Sequence, residues 1–208
     1  MNETIKICET FESIQGEGKY AGNAMLFIRT SGCTRKCTFC DTQYHNSGKQ
    51  TPIEDIIKMI KKSKLDFVCW TGGEPLLFKD EILKIIRNTN LKKHHIETNT
   101  ELFPKSKEIL DYFHYIGASP KEMRFAKIAK KILKHEVLSD GYDIKIVTDL
   151  EKEGVDMLKY ATMLMPLTTY NKKKDLKIQR KVWEYAVKHN LKFTSRFQMW
   201  VWGKKKAI

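Results

Sequence analysis

The 208-residue sequence has no apolar run approaching the about 18 residues of a membrane-spanning helix. Its opening, MNETIKICET, lacks the basic stretch and apolar core of a secretory signal. There is no Pro/Gly/Ser-rich tract and no fixed-period repeat, which argues against linked modules or a solenoid. Cysteine is scarce and odd in number: there are five, and three are crowded together, unlike a secreted disulfide framework. These absences lead to the expectation of a single domain over 1–208 in a reducing, cytoplasmic compartment, with no membrane contact. Arginine is also sparse. The net charge of +13 rests on lysine, 32 of 38 basic residues, spread as pairs such as Lys61–Lys62, Lys92–Lys93 and Lys130–Lys131. Arginine is the preferred bidentate reader of phosphates and bases, so a solvated lysine surface is expected rather than a nucleic-acid face.

What is present is an alternation of short apolar runs with amphipathic stretches. AMLFIRT (24–30), DFVCWT (66–71), HHIETN (94–99), FHYIGAS (113–119), YDIKIVT (142–148) and ATMLMP (161–166) read as strands. Helical patterns lie at 52–62, with Pro52 in the first turn, and at 79–89, about 121–137, 151–159 and 172–189. Strand–helix alternation of this kind predicts an α/β fold with a parallel sheet, open or curled into a barrel. Working residues in such folds sit in loops after the strand ends, where the cysteines, TGGEP (71–75), ETNT (97–100) and ASPK (118–121) fall.

Cys33, Cys37 and Cys40 have the spacing C-x3-C-x2-C. Zinc would need a fourth ligand, such as His45 or Cys69. A redox pair at Cys37–Cys40 would leave Cys33 unexplained. A 4Fe–4S cube on three thiolates leaves one iron open to a substrate or cofactor. The spacing alone leaves zinc and iron–sulfur evenly matched.

The triplet after the first strand of the alternation, Phe39 before its third cysteine and Gly-Gly-Glu after the next strand together resemble the radical S-adenosylmethionine superfamily. The resemblance implies a partial, open β/α barrel with a cluster loop at 31–42. It also implies one 4Fe–4S cluster on Cys33, Cys37 and Cys40, with S-adenosylmethionine chelated at the open iron. FESIQGEGKYAGNAMLFIRTSGCTRKCTFCDT (11–42), TGGEPLL, IETNT, ASPK, DIKIV, MLMPL and RFQMWVWG narrow the likeness to the 7-carboxy-7-deazaguanine synthase family, over nearly the whole chain. That family contracts the ring of 6-carboxy-5,6,7,8-tetrahydropterin by radical chemistry, releasing ammonia, on the way to queuosine-type 7-deazapurines.

The same resemblance assigns residues. Backbone groups of Ile14, Gln15 and Gly16, with Glu17 as acceptor, would read the pterin edge, Arg29 would fork onto its carboxylate, and Thr71 would join them. Phe39 would contact the cofactor, and Gly73 and Glu74 would line its methionine end. Glu97, Thr98 and Asn99 would face the ribose, Ser119, Pro120 and Lys121 the ribose or carboxylate, and Met165, Pro166, Leu167 and Thr168 the adenine. Thr42 would ligate Mg²⁺ beside the substrate carboxylate. Asp143 and Lys145 are weaker candidates, since a strand lysine is more often snorkelling or ion-paired. A flavodoxin or ferredoxin would donate the electron, and a homodimer is expected, with Trp200 and Trp202 exposed for a dimer seam or a substrate lid. Cys8 and Cys69 are expected to be small core residues. Thr100 stands where the family pattern has glycine, which implies a rebuilt turn. Two rival readings stand beside it: a small radical activase acting on a partner protein, and a non-catalytic zinc or nucleic-acid-binding module.

Overall fold

The computed structural model describes residues 3–37, 40, 46–134 and 141–203. Nine strands form its sheet: β1 (Thr4–Ile14), β2 (Ala24–Thr30), β3 (Lys49–Pro52), β4 (Phe67–Gly72), β5 (Lys93–Thr98), β6 (Tyr115–Ala118), β7 (Tyr142–Thr148), β8 (Met163–Pro166) and β9 (Lys192–Phe193). The helices are α1 (Ile53–Lys62), α2 (Lys79–Asn88), α3 (Lys107–Leu110), α4 (Met123–Leu133), α5 (Lys172–Lys188) and α6 (Phe197–Trp202).

The strand order is β3-β1-β2-β4-β5-β6-β7-β8-β9. From β2 to β9 every neighbouring pair is parallel, while β1 runs antiparallel to both β2 and β3. The ends of the order, β3 and β9, are not paired with each other, so the sheet is the open α/β arrangement expected. Among the described residues no helix is long and apolar enough to cross a membrane.

Successive side chains of a strand point to opposite faces, and that period separates two environments here. Leu26 and Ile28 of β2, Val68 and Trp70 of β4, Ile96 of β5 and Ile144 and Ile146 of β7 join the main core. There they pack with Ile56 and Ile60 of α1, Ile82 and Ile85 of α2, Ala126 of α4 and Val182 of α5. The alternate positions carry a smaller cluster of Met25, Phe27, Cys69, Tyr115 and Tyr20. On that second face, nearer the strand ends, lie Arg29, Thr71, Glu97 and Lys145, all of which line a cleft.

Several sequence expectations change in detail. β1 and β3 were not anticipated: TIKICETFESI mixes charge with apolar residues because it is only half-buried, and its ladder to β2 is a tertiary choice. Pro52 caps α1 as the last residue of β3 instead of entering the first turn. The helix expected at 151–159 is a 3₁₀ turn at Val155–Tyr160. Before it, Asp149 Oδ1 accepts the backbone N–H groups of residues 151 to 153, and Gly154 sits at φ 70°. Cys69 is fully buried as expected, but Cys8 is only partly buried and contacts Ser47 Oγ at 3.7 Å, so it is no core residue. Thr100 takes the glycine-like φ of 72° while fully buried.

Candidate active site

The cysteine loop leaves β2, the TGGEP loop leaves β4, and the two are pressed together. Gly73 N–H donates to Thr30 O at 3.3 Å and Glu74 N–H to Gly32 O at 2.8 Å. A Cβ on Gly73 would fall 1.8 Å from Gly32 O, so only glycine permits this seat. The close approach its hydrogen allows is thus to the cysteine loop.

Cys33, Cys37 and Cys40 are in no disulfide, are partly buried, and line one cleft. Burial pushes the Cys33 thiol pKa up, and the nearby Glu74, Cys37 and Cys40 push the same way. Its sulfur accepts from Arg35 N–H at 3.4 Å and from Asn99 Nδ2 at 3.8 Å. The described His, Cys, Asp and Glu side chains form no group already drawn together as an ion cage. The donor chemistry nonetheless suits an iron–sulfur group, because thiolates are its protein ligands and N–H···S bonds tune them.

Glu74 does not line the cleft. It is fully buried, and its carboxylate accepts from Leu76 N at 3.1 Å, Thr98 Oγ1 at 2.8 Å and Asn99 N at 2.7 Å. It therefore ties the TGGEP loop to the end of β5 and is not a free acceptor for an ammonium. Burial pushes its pKa up to about 7 in spite of those donors.

On the cleft wall lies a buried charge network. Lys145 Nζ sits 2.7 Å from Glu17 Oε2 and 3.0 Å from Glu97 Oε2. Glu97 Oε1 also meets His95 Nε2 at 3.0 Å and Gln15 Nε2 at 3.5 Å. Gly117 leaves room for that carboxylate, since a Cβ there would stand 2.5 Å from Glu97 Oε2. Burial alone would raise both carboxyl pKa values, but the Lys145 ammonium overrides it. Glu17, with Arg196 adding to the field, falls to about 2, and Glu97 is lowered too. Burial would lower the Lys145 pKa, but its two carboxylates raise it. Lys145 is thus the ion-paired strand lysine that was expected.

On the substrate side the expected residues already have partners within the chain. Gln15 N–H and C=O are bonded to Asn23 O and Gly22 N–H, each at 2.8 Å, and Gly16 O accepts from Phe197 N–H at 3.1 Å. These bonds close the β1–β2 turn and hold the C-terminal segment, and Gln15, Gly16 and Glu17 still line the cleft, with a second lone pair left on each carbonyl. Glu17 is already shared by Lys145, Arg196 at 3.3 Å and Gln198 at 3.0 Å. Arg29 lines the cleft and is paired with Glu9, Nε to Oε1 at 2.7 Å. Ile14 and Thr71 line the cleft as well.

Of the cofactor-side candidates, Gly73, Glu97, Thr98, Asn99, Ser119, Lys121 and Met165 line the cleft, whereas Pro120, Pro166, Leu167 and Thr168 do not. Thr98 and Asn99 are turned in part toward Glu74. Lys121 Nζ donates to Ser119 Oγ at 2.9 Å; burial lowers its pKa, and Lys145 adds to the effect. Asp143 lies away from the cleft, bonded to Tyr115, Thr162 and Lys192. Phe39 and Thr42 lie outside the described residues.

Arg35, Arg196 and Gln198 also line the cleft but were not among the sequence candidates. The only signal for the last two was RFQMWVWG itself, a polar pair ahead of an aromatic run. Gly18 N–H to Thr194 Oγ1, at 2.7 Å, completes the attachment of that segment to the Gln15–Gly18 turn. Trp200 and Trp202 are exposed, as expected.

Comparison with known proteins agrees with this architecture. The sequence profile of the Radical SAM superfamily matches residues 27–197. The chain is 38% identical over 149 residues to the 7-carboxy-7-deazaguanine synthase of Bacteroides thetaiotaomicron, covering 71% of this chain and 78% of that one. To the protein of that name from Hyperthermus butylicus it is 27% identical over 221 residues, covering 97% and 94%. To the one from Thermoplasma acidophilum it is 44% identical over 95 residues, covering 45% of this chain and 46%, about half, of that relative. The crystal structure of QueE from Escherichia coli superposes with a TM-score of 0.57 at 17% identity, over 92% of this chain and 93% of that one, a likeness of fold. With a three-cysteine loop, a glycine-seated partner loop and relatives matched across most of both chains, the protein belongs to the Radical SAM superfamily and, within it, to the 7-carboxy-7-deazaguanine synthase family.

Proposed function

We propose that the protein is a 7-carboxy-7-deazaguanine synthase, a radical lyase that converts 6-carboxy-5,6,7,8-tetrahydropterin to 7-carboxy-7-deazaguanine with loss of ammonia. The observation that carries this is the convergence on one cleft of the cysteine loop, the Gln15–Gly16–Glu17 turn, Arg29 and the C-terminal Arg196 and Gln198. A cluster with a free coordination site beside a polar, cation-rich wall suits a carboxylated, planar, hydrogen-bonding substrate.

A 4Fe–4S cluster with S-adenosylmethionine supplies, when bound, the one-electron chemistry that starts the reaction. The protein's share is ligation, orientation and shielding. Cys33, Cys37 and Cys40 would ligate the cluster. Ser119 and Lys121, with Asn99 and Met165, would hold S-adenosylmethionine, and Lys121 offers its ammonium to the carboxylate. Arg29 would share its guanidinium between Glu9 and the substrate carboxylate, as a fork with five N–H donors permits. The Glu17–Lys145–Glu97 network would fix the floor on which the pterin lies, its polar atoms held before the ligand arrives. We further propose Mg²⁺ bound through Thr42, a flavodoxin- or ferredoxin-type donor, a homodimer, one domain over 1–208 and a cytoplasmic setting.

The test is anaerobic incubation of iron-reconstituted protein with S-adenosylmethionine, a reductant, Mg²⁺ and 6-carboxytetrahydropterin, read by product mass. The mass of 7-carboxy-7-deazaguanine is expected. Product per 5′-deoxyadenosine released should rise with Mg²⁺ in the parent and lose that response in Thr42→Ala. Cleavage of S-adenosylmethionine with no deazaguanine mass would overturn the assignment, and one zinc per chain with no iron would overturn the radical chemistry altogether.

A further inference from the structure

The segment between Cys33 and Cys37 is tied to two other rim segments by one side chain. Arg35 Nη1 bonds Glu101 Oε1, just past β5, and Nη2 lies 2.6 Å from Glu122 Oε1, at the cap of α4. The Arg35 and Glu101 side chains are 22% and 14% exposed, so this pair is screened far less than a surface ion pair. Glu122 is 39% exposed and shares its other oxygen with Arg124 at 2.7 Å. The Glu101 side is itself braced. Glu101 N–H donates to Asn99 Oδ1 at 3.0 Å, and Asn99 Nδ2 donates to Thr34 Oγ1 at 2.9 Å and to Cys33 Sγ at 3.8 Å. Arg35's own N–H donates to Cys33 Sγ at 3.4 Å. A planar fork with nitrogens to spare for two carboxylates suits this bridge, and an ammonium does not replace it.

We propose that Arg35 is a positioning residue, a clasp that holds the Cys33–Cys37 segment in the geometry that retains an iron–sulfur cluster. It acts through the loop and not on the cofactor. A short loop that bears ligands loses a metal group when one ligand swings away, so tethering it at the middle slows the first step of release. The proposal rests on the reading that the three cysteines hold a cluster.

The test uses anaerobically reconstituted full-length protein and follows iron captured by a ferrous chelator, with thermal unfolding of the iron-free chain alongside. Arg35→Gln should release iron about tenfold faster than the parent, as expected for loss of a two-carboxylate charge-assisted bridge. Its iron-free unfolding midpoint should fall as well, since Glu101 at 14% exposure loses its partner, so release is compared at a temperature where both chains stay folded. Arg35→Lys, able to reach one carboxylate, should lie between. Glu101→Gln and Glu122→Gln should each speed release by a smaller factor, and adding Glu101→Gln to Arg35→Gln should add almost nothing, since the partner is already gone. These two glutamate variants carry the comparison if Arg35→Gln does not fold. Release from Arg35→Gln within twofold of the parent would overturn the clasp. Unchanged release with a raised KM for S-adenosylmethionine would also overturn it, in favour of a ligand contact. An iron-loaded parent separates either result from failure of the cluster reading, which would appear as no iron uptake by the parent.

Discussion

Lys145 is the sharpest point at which to perturb the molecule. Its ammonium stands 2.7 and 3.0 Å from two carboxylates, and only 5% of its side chain is exposed. Lys145→Met keeps the length and removes the charge, leaving Glu17 and Glu97 facing each other's charge with 16% and 18% exposure. Breaking a buried pair from one side costs about 3–5 kcal/mol, because the remaining charge loses its partner but not its desolvation. Arg196 and Gln198 still hold Glu17, and His95 and Gln15 still hold Glu97, so the lower end, about 3 kcal/mol at pH 7, is expected. The sign with pH follows from Glu17, whose pKa of about 2 lies below its ordinary 4.5. In the parent its contribution is fully present above pH 4.5 and is lost as the pH falls toward 2. That gap corresponds to about 3 kcal/mol, and Lys145 is the largest attractive cause. Urea unfolding of both proteins from pH 8 down to pH 3 should therefore give a difference that is largest at neutral pH and narrows below pH 4.5 as the mutant's stranded carboxyls take up protons. Adding Glu97→Gln to Lys145→Met should recover part of the loss at neutral pH. A difference under about 1 kcal/mol at pH 7, the range of exposed pairs, would refute the argument, and so would one independent of pH.

Four further outcomes follow from individual contacts. Thr100→Gly should stabilise the iron-free protein by about 1 kcal/mol in the same unfolding assay, because a β-branched residue at φ 72° pays for a conformation glycine adopts freely; destabilisation would mean the threonine's packing outweighs that strain. Glu74, whose buried carboxyl titrates at about 7 against 4.5 unfolded, should cost stability as the pH rises from 4.5 through 7, since the unfolded chain gives up that proton first. The slope in that window should shrink in Glu74→Gln. Glu9→Gln should release the Arg29 guanidinium from its 2.7 Å partner and lower KM for the carboxypterin several-fold, while Arg29→Ala should raise KM about 10-fold or more without loss of iron; an insoluble Arg29→Ala would mark the arginine as a core ion pair.

Much of the scaffold was written locally. The bounds of β2 are those of the apolar run AMLFIRT, and α1, β4, α2, β5 and β7 fall within a residue or two of their patterns, because strands buried on both faces and helices with one apolar side leave direct traces in hydrophobic order. The C-x3-C-x2-C spacing was equally legible, since chain connectivity alone keeps such ligands near each other, whereas the Gly-Gly-Glu loop meets them through the parallel pairing of β2 with β4. What the sequence by itself could not assign was which polar groups would face one another across the sheet. Glu17 and Lys145 are 128 positions apart and Glu17 and Gln198 are 181 apart. Nothing in QGEG or RFQMWVWG distinguishes a carboxylate free for a ligand from one taken by a lysine. The same holds for Glu74, which reads as an open acceptor in TGGEP until Leu76, Thr98 and Asn99 are seen to fill its oxygens. Local pattern determines which face of an element is buried; only the assembly of the sheet decides which charges are buried together, because that pairing depends on strand order and register.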